Sequence, residues 1–281
     1  MTVTDEVPTV GPSAEIARIC TELTENQPSR QRRIVEKFLL AAIGSIPWIG
    51  GFLSAAAAIP GDEQNQRLNS LRTVWLEAHQ EKIGSLSSTL TEIETRFEKL
   101  GPEVEERIQS EEYLTLVRHA FRTWDESETQ EKRRYTANLI TNAAGTRLCS
   151  DDVVRLFIDW LELYHEAHLA VIRNVYDNPG TSRFEIWTDL YGAIPREDSA
   201  EADLFKLLIR DLSTGGVIRQ ERDTNALGQF VRKRPVRRRS GAPTTMESAF
   251  EDTKPHVLTE LGKQFVHYTM NEVVVRISAD H

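Results

Sequence analysis

Histidines and carboxylates lie close together between residues 162 and 168, in the stretch ELYHEAH. Glu162 and His165 have the Glu-x-x-His spacing found in carboxylate-bridged di-iron proteins. Such a site needs a second Glu-x-x-His on another helix, and the sequence contains no other. His165 and His168 also lack the four-residue spacing of the zinc-protease motif. The stretch therefore favours a polar helix face over a metal site.

No other arrangement of residues in the sequence is typical of catalysis. The stretch GTRLCS at 145–150 lacks the lysine of a phosphate-binding loop, and no serine elbow or paired-carboxylate motif is present. We therefore expect no enzymatic activity, no metal and no cofactor. Cys20 and Cys149 have no partner motif nearby, as in proteins of the reducing cytosol. The net charge of −9 argues against a protein that coats nucleic acid with its whole surface.

A basic run places six cations within eight positions and contains no acid (Arg232, Lys233, Arg234, Arg237, Arg238 and Arg239). Pro235 argues against a helix here. Such a run binds nucleic-acid phosphates in some proteins. In others it binds anionic lipid, at about 1 kcal/mol per cation near the surface. A solvated loop that balances the acidic remainder is the third alternative, and the pattern alone does not choose among them.

An apolar run of 23 residues without a charge occupies positions 38–60. It exceeds the length of an ordinary core helix, so we expect it to contact the membrane. Pro47 and Gly50–Gly51 are expected to break it, and each arm of about 18 Å is too short to span a bilayer. One kinked helix of about 34 Å would be long enough. A hairpin that enters the membrane on demand and the core of a soluble protein are the alternatives. The expected membrane-contacting residues are Phe38, Ile43, Ile46, Trp48, Ile49, Phe52 and Leu53.

A long helix is predicted at residues 62–100, because apolar residues recur there at alternating steps of three and four. Gly101 and Pro102 are expected to end it. The spacing favours antiparallel pairing inside a helical bundle, with self-association as the alternative. The residues of this seam are Ile83, Leu86, Leu90, Ile93, Phe97 and Leu100.

Helical periodicity also predicts helices at 13–25, at 103–124, at 131–144 and from 151 to about 176. Residues 1–12 are expected to form a flexible tail. Together with the apolar run and the long helix, the helices up to residue 150 would make an N-terminal helical bundle.

The pattern changes after Gly180. Capping boxes at Ser182/Glu185 and Asp198/Glu201 predict helices to 191 and at 200–212. Strands are predicted at 217–220, 256–259 and 273–277, and a helix at 260–270. Residues 155–272 resemble the winged-helix superfamily, with LIRDLSTGGVI and later HVLTELGKQFV as its third helix, hairpin and closing helix. The basic wing would occupy 223–255.

The third helix of this winged-helix-like part is poorly suited to reading bases. It carries Glu201, Asp203 and Asp211 against Lys206 and Arg210. A net negative charge is unfavourable on a surface that faces phosphates. We therefore expect a protein partner here, and nucleic acid is not favoured.

The whole chain resembles a family of bacterial phage-exclusion proteins called abortive infection alpha. The matching stretches are TANLITNAAG (136–145), DDVVRLFIDWLELYHEAH (151–168) and LTELGKQFV (258–266). The resemblance implies a role in bacterial defence by halting or killing the infected cell. The apolar run and the long basic wing depart from that family's pattern.

The sequence thus predicts a mainly α protein with a helical bundle at 13–150 and a winged-helix-like α+β domain at 151–281. The predicted function is a non-enzymatic antiphage effector at the bacterial inner membrane, cytoplasmic until it associates or inserts. The expected partners are the inner membrane or anionic lipid, a protein at the winged helix and further copies of the chain. The alternatives are a soluble winged-helix regulator that binds nucleic acid, with 38–60 as core, and a coiled-coil scaffold.

Overall fold

The computed structural model describes residues 29–59, 64–100, 103–222, 225–227, 229–231 and 248–271 of the chain. These residues form helices and one two-stranded sheet, so the prediction of a mainly α protein is confirmed. The expected tail at 1–12, helix at 13–25, basic run at 232–239 and strand at 273–277 lie outside the described residues. The elements are α1 Ser29–Gly44, α2 Pro47–Ala57, α3 Gln64–Leu100, α4 Glu103–Gln109, α5 Glu111–Glu126, α6 Gln130–Gly145, α7 Asp151–Leu163, α8 Glu166–Asp177, α9 Arg183–Tyr191, α10 Ala200–Thr214, β1 Ile218–Gln220, β2 His256–Leu258 and α11 Glu260–Thr269.

The described residues divide into two compact units. The first unit takes the residues up to Leu163 and those from Tyr268 onward. The second unit is Tyr164–His267. Each unit has its own buried apolar residues, which is what an independently packed region of this size requires.

Helix α5 is at the centre of the packing of the first unit. It contacts α1, α6 and α7, while α3 packs mainly against α6. Its inward side chains recur at helical spacing, and Leu116, Val117 and Ala120 have no exposed surface. The Tyr113 hydroxyl is also inside and donates a 2.9 Å hydrogen bond to the Ile140 carbonyl. The buried side chains of α5 therefore pack against three neighbouring helices.

Helix α6 is buried along its last three turns, from Tyr135 to Gly145. Two asparagines on it, four residues apart, donate to carbonyls near the end of α11. The Asn138 amide is 2.8 Å from the Thr269 oxygen, and the Asn142 amide is 3.0 Å from the Tyr268 oxygen. Carbonyls at a helix C-terminus have no partner within the helix, so these side chains satisfy them.

Two predicted helices are each divided in the structure. The predicted helix at 103–124 breaks at Ser110, whose hydroxyl accepts from the Tyr113 amide and caps α5. The predicted helix at 151–176 breaks at Tyr164–His165, where His165 has an extended backbone. The His165 amide donates to the Nδ1 atom of His168, 3.3 Å away. Both breaks depend on local capping. The spacing of apolar residues carries no information about caps, so it could not predict these breaks.

The second unit combines helices with the sheet. Strands β1 and β2 are antiparallel, with Ile218 opposite Leu258 and Gln220 opposite His256. The aromatic rings of Trp187, Phe205 and Phe250 lie within 5.7 Å of one another in its core.

Capping explains how two helices of the second unit begin. Ser182 and Glu185 form the predicted capping box at α9. The box predicted at Asp198 and Glu201 is wrong, because Ser199 is the N-cap of α10 and accepts from the Ala202 amide. A serine one position closer to the helix therefore caps it instead of the aspartate.

Candidate functional site

The apolar run folds as two helices with sharply different directions. Helix α1 ends at Gly44, and α2 begins at Pro47 after Ile46 in an extended conformation. Proline has no amide hydrogen to donate and disfavours the helical conformation in the residue before it. The predicted break at Pro47 is therefore confirmed. The break predicted at Gly50–Gly51 is wrong, because both glycines lie inside α2.

Within the described residues, no single helix is long and apolar enough to cross a membrane. The segments Glu36–Gly44 and Pro47–Ala56 meet the length and composition requirements only as a pair, and they are bent by 88°.

The predicted membrane-contacting residues lie inside the first unit. Phe38, Ile43, Ile46 and Ile49 are at most 1% exposed, and Phe52 and Leu53 are also buried. Trp48 is half-buried. The Phe38 ring meets the ring of Phe97 edge-on at 5.2 Å, which joins α1 to α3. In this conformation the large apolar side chains contact the rest of the protein.

The outward positions of α2 are occupied by small residues. Gly51, Ser54 and Ala55 are exposed. A methyl group added at Gly51 would meet no atom within 4 Å. The α2 surface therefore has room for substitution without disturbing its buried face.

A group of side chains holds α2 against α3 and α5, and we call it the Trp48 cluster (Trp48, Phe52, Trp75, His79 and Asp125). The Trp48 ring stacks on His79 at 4.9 Å, and the Phe52 ring lies 4.7 Å from Trp75. Aromatic contacts of this kind each add about 0.5–1.5 kcal/mol beyond the area they bury.

Directional hydrogen bonds fix the Trp48 cluster. The Trp48 indole N–H donates to the Asp125 carboxylate at 2.7 Å, and the Trp75 N–H donates to the Trp48 carbonyl at 3.3 Å. Asp125 also lies 3.7 Å from the Lys82 ammonium, and its side chain is 11% exposed. Hydrogen bonds to ionised groups are stronger than neutral ones. Asp125 on α5 therefore contributes to the attachment of α2, beside the contacts of α2 with α3.

Sequence reasoning missed three of the five residues in this cluster. Trp75 and His79 are four residues apart on α3, so they share a helix face. That spacing was the available signal, but it does not reveal Trp48 as their partner. Asp125 is separated from Trp48 by 77 positions, and only the packing of α2 beside α5 brings the two together.

The predicted self-association seam lies inside the first unit. Leu86, Leu90, Ile93 and Phe97 are buried, and Ile83 and Leu100 are half-buried. The Arg96 guanidinium, on the same helix, donates to the Asn138 amide oxygen on α6. The seam therefore packs against the same chain, which is the intramolecular alternative for this spacing.

The other candidate residues are placed as follows. The basic run at 232–239 lies outside the described residues. Glu162 belongs to α7, whereas His165 lies in the break before α8, so they do not share a helix. Across the described ranges no three His, Cys, Asp or Glu side chains are grouped as metal ligands.

Comparisons with known proteins were made for the whole chain. No family model matches it, and no curated protein and no solved structure has a significant match to it.

Proposed function

We propose that this chain is a non-enzymatic antiphage effector of the abortive-infection type that acts at the bacterial inner membrane through residues 38–60. The observation that carries the proposal is the fold of this uncharged run as two helices, with most large apolar side chains inward and small residues on the exposed face of α2. Side chains such as Ile49 and Phe52 are covered by protein at rest and would be covered by lipid after release. The defence role rests on the resemblance to abortive infection alpha.

The attachment of α2 supports release of this segment. Helix α2 packs mainly against α1 and α3, whereas α5, α6 and α7 pack against one another. Helix α2 can therefore leave without separating those three helices. The end of α1 belongs to the same segment and packs against α5, so its release would require separation from α5. In the resting state the Trp48 cluster holds it, and loss of the Trp48–Asp125 hydrogen bond would favour the released state.

The second unit supports a role in binding the trigger. Its order of three helices, two strands and a closing helix supports the resemblance to the winged-helix superfamily that the sequence suggests. The third helix, α10, exposes Leu204 and Leu207 next to Asp203. Exposed apolar residues beside acids favour a protein contact over a phosphate backbone.

A soluble regulator that binds nucleic acid is the second candidate, and the burial of most large apolar side chains at 38–53 favours it. In that case α1 and α2 remain core permanently. A charge on the exposed face of α2 separates the two candidates, because it affects membrane insertion but not the folded core.

The test is dye leakage from anionic vesicles with Gly51→Asp, using Gly84→Asp as the matched control. Both glycines are exposed within helices, and a Cβ atom added at either position meets no atom within 4 Å. An aspartate near the centre of a membrane segment costs about 2.5–3.5 kcal/mol on insertion scales. We expect Gly51→Asp to abolish leakage, and Gly84→Asp to leave it unchanged. Asp125→Ala should increase leakage.

Circular dichroism and thermal melting establish that each variant is folded. Leakage that is equal for wild type and Gly51→Asp would contradict the proposal. The absence of leakage from both wild type and Asp125→Ala would also contradict it and favour the soluble regulator.

A further inference from the structure

Three large apolar side chains that are close together in the sequence are exposed in the second unit, and we call them the apolar tip (Leu227, Phe230 and Val231). Leu227 is 82% exposed, the largest value for a large apolar side chain in the described ranges. Phe230 and Val231 are each 48% exposed. A clustered exposed apolar set marks an interaction surface more often than scattered residues do.

Hydrogen bonds hold the backbone of this tip in a defined turn. The Asn225 amide donates to the Gln229 carbonyl at 2.9 Å. The side-chain oxygen of Asn225 accepts from the amides of Leu227 and Gln229, at 3.0 and 2.9 Å. Leu227 is therefore presented outward by a preformed turn instead of folding back onto the unit.

Two arginines lie beside the aromatic member of the tip. The guanidinium carbons of Arg219 and Arg222 lie 5.0 and 5.8 Å from the Phe230 ring centroid. Both arginines are exposed. The sequence then continues into the basic run, and positions 219–239 hold eight cations and two acids, Glu221 and Asp223.

This combination of side chains favours binding to an anionic lipid surface over binding to nucleic acid. Single-stranded nucleic acid stacks its bases on aromatic rings, and Leu227 and Val231 have no such face. Aliphatic side chains do gain from burial at the boundary between headgroups and acyl chains, beside cations that attract the headgroups. We propose that the apolar tip, with Arg219 and Arg222, is a docking element for an anionic membrane surface.

The docking element is independent of the release of residues 38–60. It is exposed in the folded protein, so it requires no change in the first unit. Docking would place the chain on the membrane before α1 and α2 leave the core. Co-sedimentation with vesicles measures docking, and dye leakage measures the release of residues 38–60.

The test is co-sedimentation of the full chain with phosphatidylcholine vesicles, with and without phosphatidylglycerol. We expect binding only where phosphatidylglycerol is present. The triple variant Leu227→Ser, Phe230→Ser, Val231→Ser should reduce partitioning about tenfold or more. The double variant Arg219→Gln, Arg222→Gln should reduce it and weaken its dependence on salt.

Matched controls come from exposed residues of α10 in the same unit. Leu204→Ser removes an apolar side chain that is 52% exposed, and Arg210→Gln removes an exposed cation. Both should bind vesicles as wild type does. If the triple variant is unfolded by circular dichroism, Leu227→Ser alone takes its place, because that side chain makes the least contact with the fold.

Vesicle binding that is unchanged in the triple variant would overturn the inference. So would equal binding to vesicles with and without phosphatidylglycerol, or no binding to either. Loss of binding to a single-stranded oligonucleotide, with vesicle binding intact, would assign the tip to nucleic acid. Gly51→Asp should dock as wild type does, although it should not cause leakage. Docking of the wild type without any leakage would contradict only the proposed function.

Discussion

Asp125 contributes a hydrogen bond to the attachment of α2, although it lies on a different helix. Its carboxylate accepts the Trp48 N–H in a position that is mostly buried, where water does not fully replace a lost partner. The aspartate is therefore both a structural residue of the first unit and the residue that controls α2 release in the proposed function.

We predict that Asp125→Ala lowers the free energy of unfolding by about 1–3 kcal/mol, because the Trp48 N–H loses its acceptor. Asp125→Asn should cost less, since an amide oxygen can still accept the hydrogen bond. Urea unfolding followed by circular dichroism measures both values.

The neighbouring Glu126→Ala is the control, because Glu126 is exposed and should change stability by less than about 0.5 kcal/mol. Equal stability of Asp125→Ala and Glu126→Ala would show that the hydrogen bond does not hold α2.

At the scale of elements, two glycines in helices have opposite roles. Gly262 lies in the first turn of α11, where an added Cβ would be 2.2 Å from the Val217 carbonyl oxygen. Its amide also donates to the Thr259 hydroxyl at 2.9 Å. The close approach of α11 to the residue before β1 therefore requires glycine. Gly84, in α3, has open space around it.

Gly262→Ala is expected to destabilise the fold by about 1–3 kcal/mol, because the new methyl group meets backbone that cannot move without disturbing the sheet. Gly84→Ala should stabilise by about 0.5–1 kcal/mol, since alanine loses less conformational entropy in a helix. Thermal melting of the two variants beside wild type checks both signs, and a loss of stability with Gly84→Ala would contradict the open surroundings of that position.

The boundaries of elements show what periodicity can predict. Heptad spacing placed the long helix correctly, and α3 runs to Leu100 as expected. The breaks at Ser110 and at Tyr164–His165 were missed, because the apolar spacing continues across them. One hydroxyl or one imidazole decides such a break through a single hydrogen bond to the backbone.

At the scale of the whole molecule, stability should depend on pH through a buried histidine. Burial, followed by the nearby Arg183, lowers the pKa of His256 from 6.5 to about 4. His256 is 1% exposed and lies in β2 of the second unit. Burial also lowers the pKa of His267. In both cases the folded state favours the neutral ring.

The unfolded state binds a proton at His256 between pH 6.5 and about 4 while the folded state does not. We therefore expect stability to be fully present above pH 6.5 and to fall as the pH drops toward 4. The contribution of His256 to this loss is at most about 3 kcal/mol. Denaturant unfolding at several pH values measures the slope.

His256→Gln should flatten this slope, because glutamine does not titrate. His267→Gln should also make the dependence of stability on pH less steep. A slope in His256→Gln equal to that of wild type would exclude His256 as its source.

The sequence by itself determined the local features of this protein. The helical periodicity, the Pro47 break, the Ser182–Glu185 capping box and the net negative charge of α10 follow from residues close together in the chain. Each depends on local backbone preferences or on composition, so no knowledge of the fold was required.

The tertiary structure decided which surfaces these elements cover. It placed most of the large apolar side chains of residues 38–53 inside the first unit, turned the α3 seam toward the same chain and brought Asp125 to Trp48. Apolar residues gain from leaving water whether protein or lipid receives them, so hydrophobicity alone cannot name the partner. Only the packing of helices distant in sequence makes that choice.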